Sequence, residues 1–289
     1  MKRVGIEKLY HVISAANEPS AVVGQGEEFV VETEAGRGEQ CIVLEGAKPG
    51  QVLAAEIIEV APETEGYTAH GPGAKSFPDW IRYNGWGQLR RDVQIRGGRI
   101  KWPGGLVFPA LPMVGMIGTA PEPPEAPSTG MQGIFGGNMD CPLVAAGARV
   151  FLPVAVDGAY LHIGDVHAVQ GDGEICGAGG IECRAEVRLK LRSLERPAGF
   201  SWPRIEHDAS ISTVGVGGSM DTAYRIAVEA LLRWIQAESG WSEQDVFLLL
   251  GSVLIARVCE VVNPFVTFAA TFPKLLLEGM RRNPPPGAA

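Results

Sequence analysis

The sequence predicts an α+β chain that is predominantly β, a sandwich- or barrel-like core with a smaller helical portion towards the C-terminal end. Three observations predict it. Glycine (38) and proline (21) mark many turns in 289 residues, with no repeat period, as a set of short strands requires. The clearest alternation, residues 183–194, puts Ala185, Val187, Leu189 and Leu191 on one side and Arg184, Glu186, Arg188, Lys190 and Arg192 on the other. That is the period of a strand with one buried and one wet face. From about Ser219 the period becomes helical, with Ala223, Ile226, Ala227, Ala230, Leu231 and Trp234 on one face.

Taken in order, residues 29–32, 41–44 and 52–60 are apolar or β-branched runs divided by turns such as Lys48-Pro49-Gly50. Residues 93–96 and 99–102 flank Gly97-Gly98, a hairpin signal because both turn residues accept positive φ. The apolar run 150–156 carries Pro153, which predicts an edge strand or a bulge. Residues 121–129, rich in Pro and Glu, read as a lid or a surface connector, and 69–73 as a second loop. The first helix stops at Gly240, and Ser242 with Asp245 caps a second over roughly 243–258. That helix is apolar nearly all round, so it is expected to be buried in the protein or at a subunit contact. No linker interrupts the chain: residues 1–280 read as one unit, and 281–289, with Pro284-Pro285-Pro286, as a disordered tail.

Composition excludes several classes of function. A formal net charge of −8, with no basic run longer than two residues, argues against a nucleic-acid partner. The most apolar window, 246–256, is too short to span a bilayer, and Met1-Lys2-Arg3 is followed by no apolar leader, so no membrane contact is expected. Five cysteines without a C-x-x-C pair predict no disulfide framework and a reducing, cytoplasmic setting.

Polar side chains concentrate between Gly136 and Glu182. Asn138 and Asp140 stand two apart behind two glycines, as do Asp165 and His167 further on. In an extended chain each pair shares a face. Gln170, Asp172 and Glu174 continue at steps of two, interleaved with Gly171 and Gly173, and Glu182 lies eight residues beyond. Asp140, Asp165, His167 and Glu182 have the donor types of a mixed oxygen and nitrogen metal site. Such a set suits hydrolysis of an unreactive carbonyl such as an amide, where a cation polarises the carbonyl and acidifies water. Glu174 or Asp172 is then the expected proton shuttle, with His167 as a further catalytic group and Asn138 and Gln170 as substrate contacts. One imidazole among carboxylates favours zinc over calcium. Cys141 offers a second route, a cysteine-dependent amidase, although no activating base or cation stands near it in sequence. A non-catalytic β-sandwich binding a ligand or metal is the third.

At these residues the chain resembles the acetamidase/formamidase family. Residues 44–53, Leu-Glu-Gly-Ala-Lys-Pro-Gly-Gln-Val-Leu, are similar to that family's early E-G-A-x-P-G-D-x-L segment. A second block runs from Pro109 through Gly115-Met116-Ile117-Gly118-Thr119-Ala120-Pro121 to Gly136-Gly137-Asn138-Met139-Asp140. A third runs from Leu152-Pro153-Val154 through Gly158-Ala159 to the 164–174 segment and Glu182. Gln51 stands where the family commonly has Asp, and Glu34-Ala35 where an Asp-led pair is usual. The resemblance implies a predominantly β fold with a smaller α/β portion, a homodimer, a bound divalent metal, and hydrolysis of formamide- or acetamide-like amides to carboxylate and ammonia.

Overall fold

The computed structural model describes residues 1–36, 38–70 and 84–283. Of the sequence's loop at 69–73, Ala69 and His70 instead end a strand, paired with Arg90 and Leu89, while 71–73 lie outside the described residues, as does the tail from Pro284 onward. In chain order the strands are β1 (Lys2–Val4), β2 (Ala21–Val23), β3 (Glu28–Thr33), β4 (Gln40–Leu44), β5 (Val52–His70) and β6 (Leu89–Arg96). Then come β7 (Arg99–Lys101), β8 (Val107–Pro109), β9 (Met113–Thr119), β10 (Gln132–Gly133), β11 (Gly136–Asn138) and β12 (Arg149–Pro153). Next are β13 (Leu161–His167), β14 (Glu182–Leu194), β15 (Arg204–Glu206) and β16 (Ser210–Gly217). Two helices follow, α1 (Met220–Ser239) and α2 (Glu243–Val253), then β17 (Ile255–Glu260), β18 (Val266–Pro273) and α3 (Lys274–Arg282).

The strands form two ribbons. In the first, neighbours run β1-β3-β14-β5-β12-β15-β16-β18-β17, and the far half of β5 continues into β6-β7-β8. In the second they run β2-β4-β13-β9-β11-β10. All pairings are antiparallel except β1 with β3 and β2 with β4. The ribbons are joined where His167 of β13 pairs with Glu182 of β14. Curling the first ribbon places the inward residues of β14 in a single large core with β3, β5 and β13.

The sequence signals translate directly in most places. In β14, Cys183, Ala185, Val187, Leu189 and Leu191 are buried, while the charged residues between them face out. Gly97 and Gly98 take φ of 56° and 69° between β6 and β7, the double positive φ that a tight hairpin needs. Ser219 caps α1 by accepting from Thr222 N, Gly240 ends it at φ 73°, and Ser242 caps α2 by accepting from Asp245 N. A second apolar core seals α1 onto β16 and β18, through Ala227, Leu231, Ile235, Ala270 and Phe272. The chain at 121–129 is a surface connector, tied at Pro127 and Thr129 to Ile13 and His11 by backbone hydrogen bonds.

Two local expectations are corrected. The strand carrying Pro153 is not at an edge: β12 pairs with β5 on one side and β15 on the other. Pro153 is tolerated because it is the last residue of the strand, beyond the part paired to β15, so no ladder bond is lost there. The second helix also ends earlier than its apolar run suggests. At Ile255 the chain becomes a strand, because pairing with β18 wins over helical continuation for Ile255 and Val258. The shortened helix buries Val246 and Leu250 and leaves Phe247 and Leu248 exposed at 63% and 69%.

Candidate active site

The join between the two ribbons is where the chain gathers its ionisable groups. Asp165 and His167 come from the end of β13, Asp140 from the turn after β11, Glu182 from the start of β14, and Glu174 from the loop between β13 and β14. Exposures of these five side chains run from 0% for His167 to 6% for Glu174 and Glu182. Asp140, Asp165 and His167 offer ligand atoms within 4.8 Å of one another, as do His167, Glu174 and Glu182. His167 Nε2 lies 3.7 Å from Asp165 Oδ1 and 3.6 Å from Glu182 Oε2.

The backbone is bent to aim them. Asp140, Asp165 and Glu174 take φ of 42°, 53° and 47°, in the left-handed region that non-glycine residues seldom occupy. Such conformations cost of order 1–3 kcal/mol each and persist where the surroundings impose them. Gly115 of β9 lies across the ladder from Asp165, between the paired positions Met116–Gly164 and Val114–Val166. A Cβ there would come within 2.6 Å of Asp140 Oδ1 and 2.6 Å of Asp165 O. Gly115→Ala is therefore expected to push the two carboxylates apart, cutting divalent-metal affinity measured by competitive chelation by about tenfold or more. Unchanged affinity in a folded variant contradicts this account of Gly115.

The hydrogen bonds around the cluster fix which atoms remain free. Asn138 and Asn263 each donate from Nδ2 to Asp140 Oδ2, at 2.8 and 2.7 Å, leaving Asp140 Oδ1 without a partner. Gln170 Nε2 donates to Asp140 O at 2.6 Å and Cys259 O at 2.9 Å. Its amide is thereby oriented with Oε1 2.8 Å from His167 Nδ1, so that nitrogen carries the proton. The lone pair of His167 is then on Nε2, which is buried and has no partner. Glu174 Oε1 accepts from Gly179 N at 2.7 Å, while Glu174 Oε2 and Glu182 Oε2 are also buried without partners. Four orphaned acceptors thus come from four residues of two triads that share His167. Buried acceptors left unpaired are costly, and a divalent cation held by Asp140 Oδ1, His167 Nε2 and Glu182 Oε2 would satisfy three of them and leave Glu174 Oε2 beside it. The donor set fits a metal.

Charge supports the same conclusion. Burial, reinforced by Asp165, pushes the Asp140 carboxyl up to about 6 and that of Glu182 up to about 8. Burial and then Asp140 hold Glu174 well above the usual carboxylate range. For His167 burial disfavours the charge, but Glu182, Asp165 and Asp140 outweigh it and hold the imidazole well above its ordinary value, so that without a cation Nε2 carries a proton, and a bound cation would take that proton's place. Four clustered carboxylates with one imidazole are relieved either by protons or by a cation.

The structure brings Asp140, Asp165, His167, Glu174 and Glu182 together, with Asn138 and Gln170 beside them, and sets Asp172 apart. Asp172 points away: it is half-exposed and paired with Arg257 at 3.0 Å. The expected alternation through 170–174 fails because these residues form turns rather than a strand, and Gly173 at φ 86° reverses the chain between Asp172 and Glu174. Gln170 is spent on three hydrogen bonds and positions His167 and Asp140. Cys141 is fully buried. His162, between Asn17 and the Tyr160 carbonyl, is held down to about 4 by burial and is structural.

Asn263 and Glu260 were not anticipated. Glu260 accepts from Val262 N and Asn263 N at 2.9 Å, and from Gln132 and Thr267, so it shapes the turn that presents Asn263 to Asp140. Burial pushes its carboxyl up to about 7. The available signal was a single acid in the apolar run Val258-Cys259-Glu260-Val261-Val262, which needs a buried partner.

Among the described residues no helix is long and apolar enough to cross a membrane. The profile of the acetamidase/formamidase family matches residues 125–275, a span holding Asn138, Asp140, Asp165, His167, Glu174, Glu182 and Asn263. A putative formamidase of Schizosaccharomyces pombe is 48% identical over 60 residues, which is 21% of this chain and 15% of that protein. Two crystal structures superpose along nearly the whole length. The predicted acetamidase/formamidase of Thermoanaerobacter tengcongensis has a TM-score of 0.89 at 27% identity, over 96% of this chain and 97% of that one. The acetamidase of Bacillus halodurans has a TM-score of 0.90 at 26% identity, over 96% and 99%. With more than half its residues inside the family profile, the chain belongs to the acetamidase/formamidase family.

Proposed function

We propose that the chain hydrolyses short linear amides to a carboxylate and ammonia, at a divalent-cation centre built from Asp140, Asp165, His167, Glu174 and Glu182. The observation that carries this is that four of those residues, in two triads sharing His167, each bury an acceptor without a partner. Asp140 Oδ1, His167 Nε2 and Glu182 Oε2, together with Asp165, would hold the cation, and the single imidazole nitrogen favours zinc over calcium. When bound, the ion supplies Lewis-acid polarisation of the amide carbonyl and acidification of water.

The remaining work falls to the protein. Gly179 N–H fixes Glu174 Oε1, so Oε2 is the atom that takes a proton from water and returns it to the departing nitrogen. Its carboxyl is held at a raised pKa by burial, which makes it a competent acid in the second half of that cycle. Asn138 has one N–H committed to Asp140, and its other amide groups are offered to the substrate. Enclosure of all five ionisable groups excludes bulk water. A homodimer in the cytoplasm is the setting we infer from the sequence.

Ammonia release should be followed with formamide, acetamide, propionamide and urea, with and without chelator. Release from a short amide that is lost on chelation and restored by a divalent metal is the expected result. Activity that survives chelation and is removed by iodoacetamide contradicts it and favours the Cys141 route.

A further inference from the structure

A cavity of about 380 Å³ opens where α1 and α3 meet β12 and β15. It contains none of the carboxylate cluster. Its walls are half apolar, from Val52, Phe151, Leu194, Ile211, Trp234 and Leu277, and half charged. Among the charged residues Arg204, on β15, is buried, at 3% exposed.

The two faces of its guanidinium are covered. Its central carbon lies 4.6 Å from the Trp234 ring centroid and 5.1 Å from that of Phe200. Its N–H edge is nearly unused, with one hydrogen bond of 3.4 Å to Ala198 O and no carboxylate within ion-pair distance among the described residues. One long bond among five donors leaves that edge free to take a partner from the cavity it lines, whereas a buried arginine is ordinarily paired. The other cations lining the cavity are already committed, Lys274 to Glu206 at 2.6 Å and Arg281 to Glu238. Burial lowers the Arg204 pKa only to about 10, so the charge is present at neutral pH.

We propose that this cavity is a binding site for a small amphipathic monocarboxylate, an aliphatic or aryl acid. The acid's carboxylate takes the N–H edge of Arg204 in the bidentate geometry that guanidinium favours, and its body lies against Trp234, Phe151 and Leu277. Carboxylates at Glu195, Glu206, Glu238 and Glu278 also line the cavity, the last three of them paired with Lys274, Arg281 and Arg282, so a second negative charge on the ligand is repelled. A phosphate dianion is thereby disfavoured and a monoanion accepted. The volume sits at the small end of ordinary ligand sites, which suits an acid of modest length.

The test uses the full chain with hexanoate by calorimetry, hexan-1-ol as the neutral comparator, and 6-bromohexanoate in crystals for location. The expected result is saturable hexanoate binding, weakened about tenfold or more by Arg204→Gln and by exchange of the acid for the alcohol. Leu277→Trp, which fills the cavity without touching the charge, should abolish binding. The bromine signal should lie between Trp234 and Leu277. No saturable binding by the wild type, equal binding by a folded Arg204→Gln, or bromine at the carboxylate cluster each overturns the proposal. Should both variants fail to fold, the bromine position in the wild type decides alone. None of these outcomes depends on amide hydrolysis.

Discussion

Glu174→Gln lowers kcat for a short amide by about 10²–10⁴-fold while leaving metal content and thermal stability close to wild type. Glutamine keeps the size and the acceptor that Gly179 N–H holds at 2.7 Å, so the loop between β13 and β14 retains its shape. What it removes is the ability of the second oxygen, buried and without a partner, to carry a proton. The loss should appear in kcat and in kcat/KM alike, because the interaction is made only as the proton moves. Measured by steady-state ammonia release, wild-type turnover in the variant would refute the shuttle role of Glu174. Asp172→Asn, by contrast, breaks an exposed pair with Arg257 and should change turnover little.

His167→Ala and Asp165→Asn should each leave the purified chain with far less bound divalent metal than wild type, read by elemental analysis after dialysis. His167 contributes the nitrogen among the donors, and its Nε2 is aimed into the cluster by the Gln170 contact on Nδ1. Gln170→Leu removes that aim without removing a donor, and should cost about 10–100-fold in metal affinity, the usual effect of losing such a support. The pH dependence has a definite sign. A cation needs ionised carboxylates, and burial raises Glu182 to about 8 and Asp140 to about 6. Metal affinity should therefore fall as pH is lowered through that window, as protons displace the ion. Unaltered metal stoichiometry in both His167→Ala and Asp165→Asn would remove those residues from the donor set.

How far the sequence carries depends on the range of the interaction that decides each feature. The β14 alternation and the Gly97-Gly98 hairpin are local, and they appear in the structure as read. The Asn138–Asp140 pair was legible for the same reason: two residues apart, the side chains meet at 2.8 Å even though Asp140 leaves the extended region at φ 42°. Glu182 was reachable only as a nearby acid. What puts it beside His167 is a single cross-strand pairing between the ribbons. Asp172 was misplaced because glycine conformations are invisible in a period-two count, and Gly173 turns the chain between it and Glu174. Asn263 lay furthest from view. The β17–β18 hairpin and its Glu260 turn are local, but what brings that turn to Asp140 is long-range, the Gln132 bond to Glu260 and the bridge between Gly173 and Glu260.

The most direct test of the central claim is an anomalous-scattering map from crystals of the purified chain, collected at the absorption edge of the metal that elemental analysis identifies. The account predicts one peak held by Asp140 Oδ1, Asp165, His167 Nε2 and Glu182 Oε2, with Glu174 Oε2 beside it rather than bound to it. A metal-bearing, active protein whose peak lies elsewhere, or an active protein with no peak at all, would contradict it.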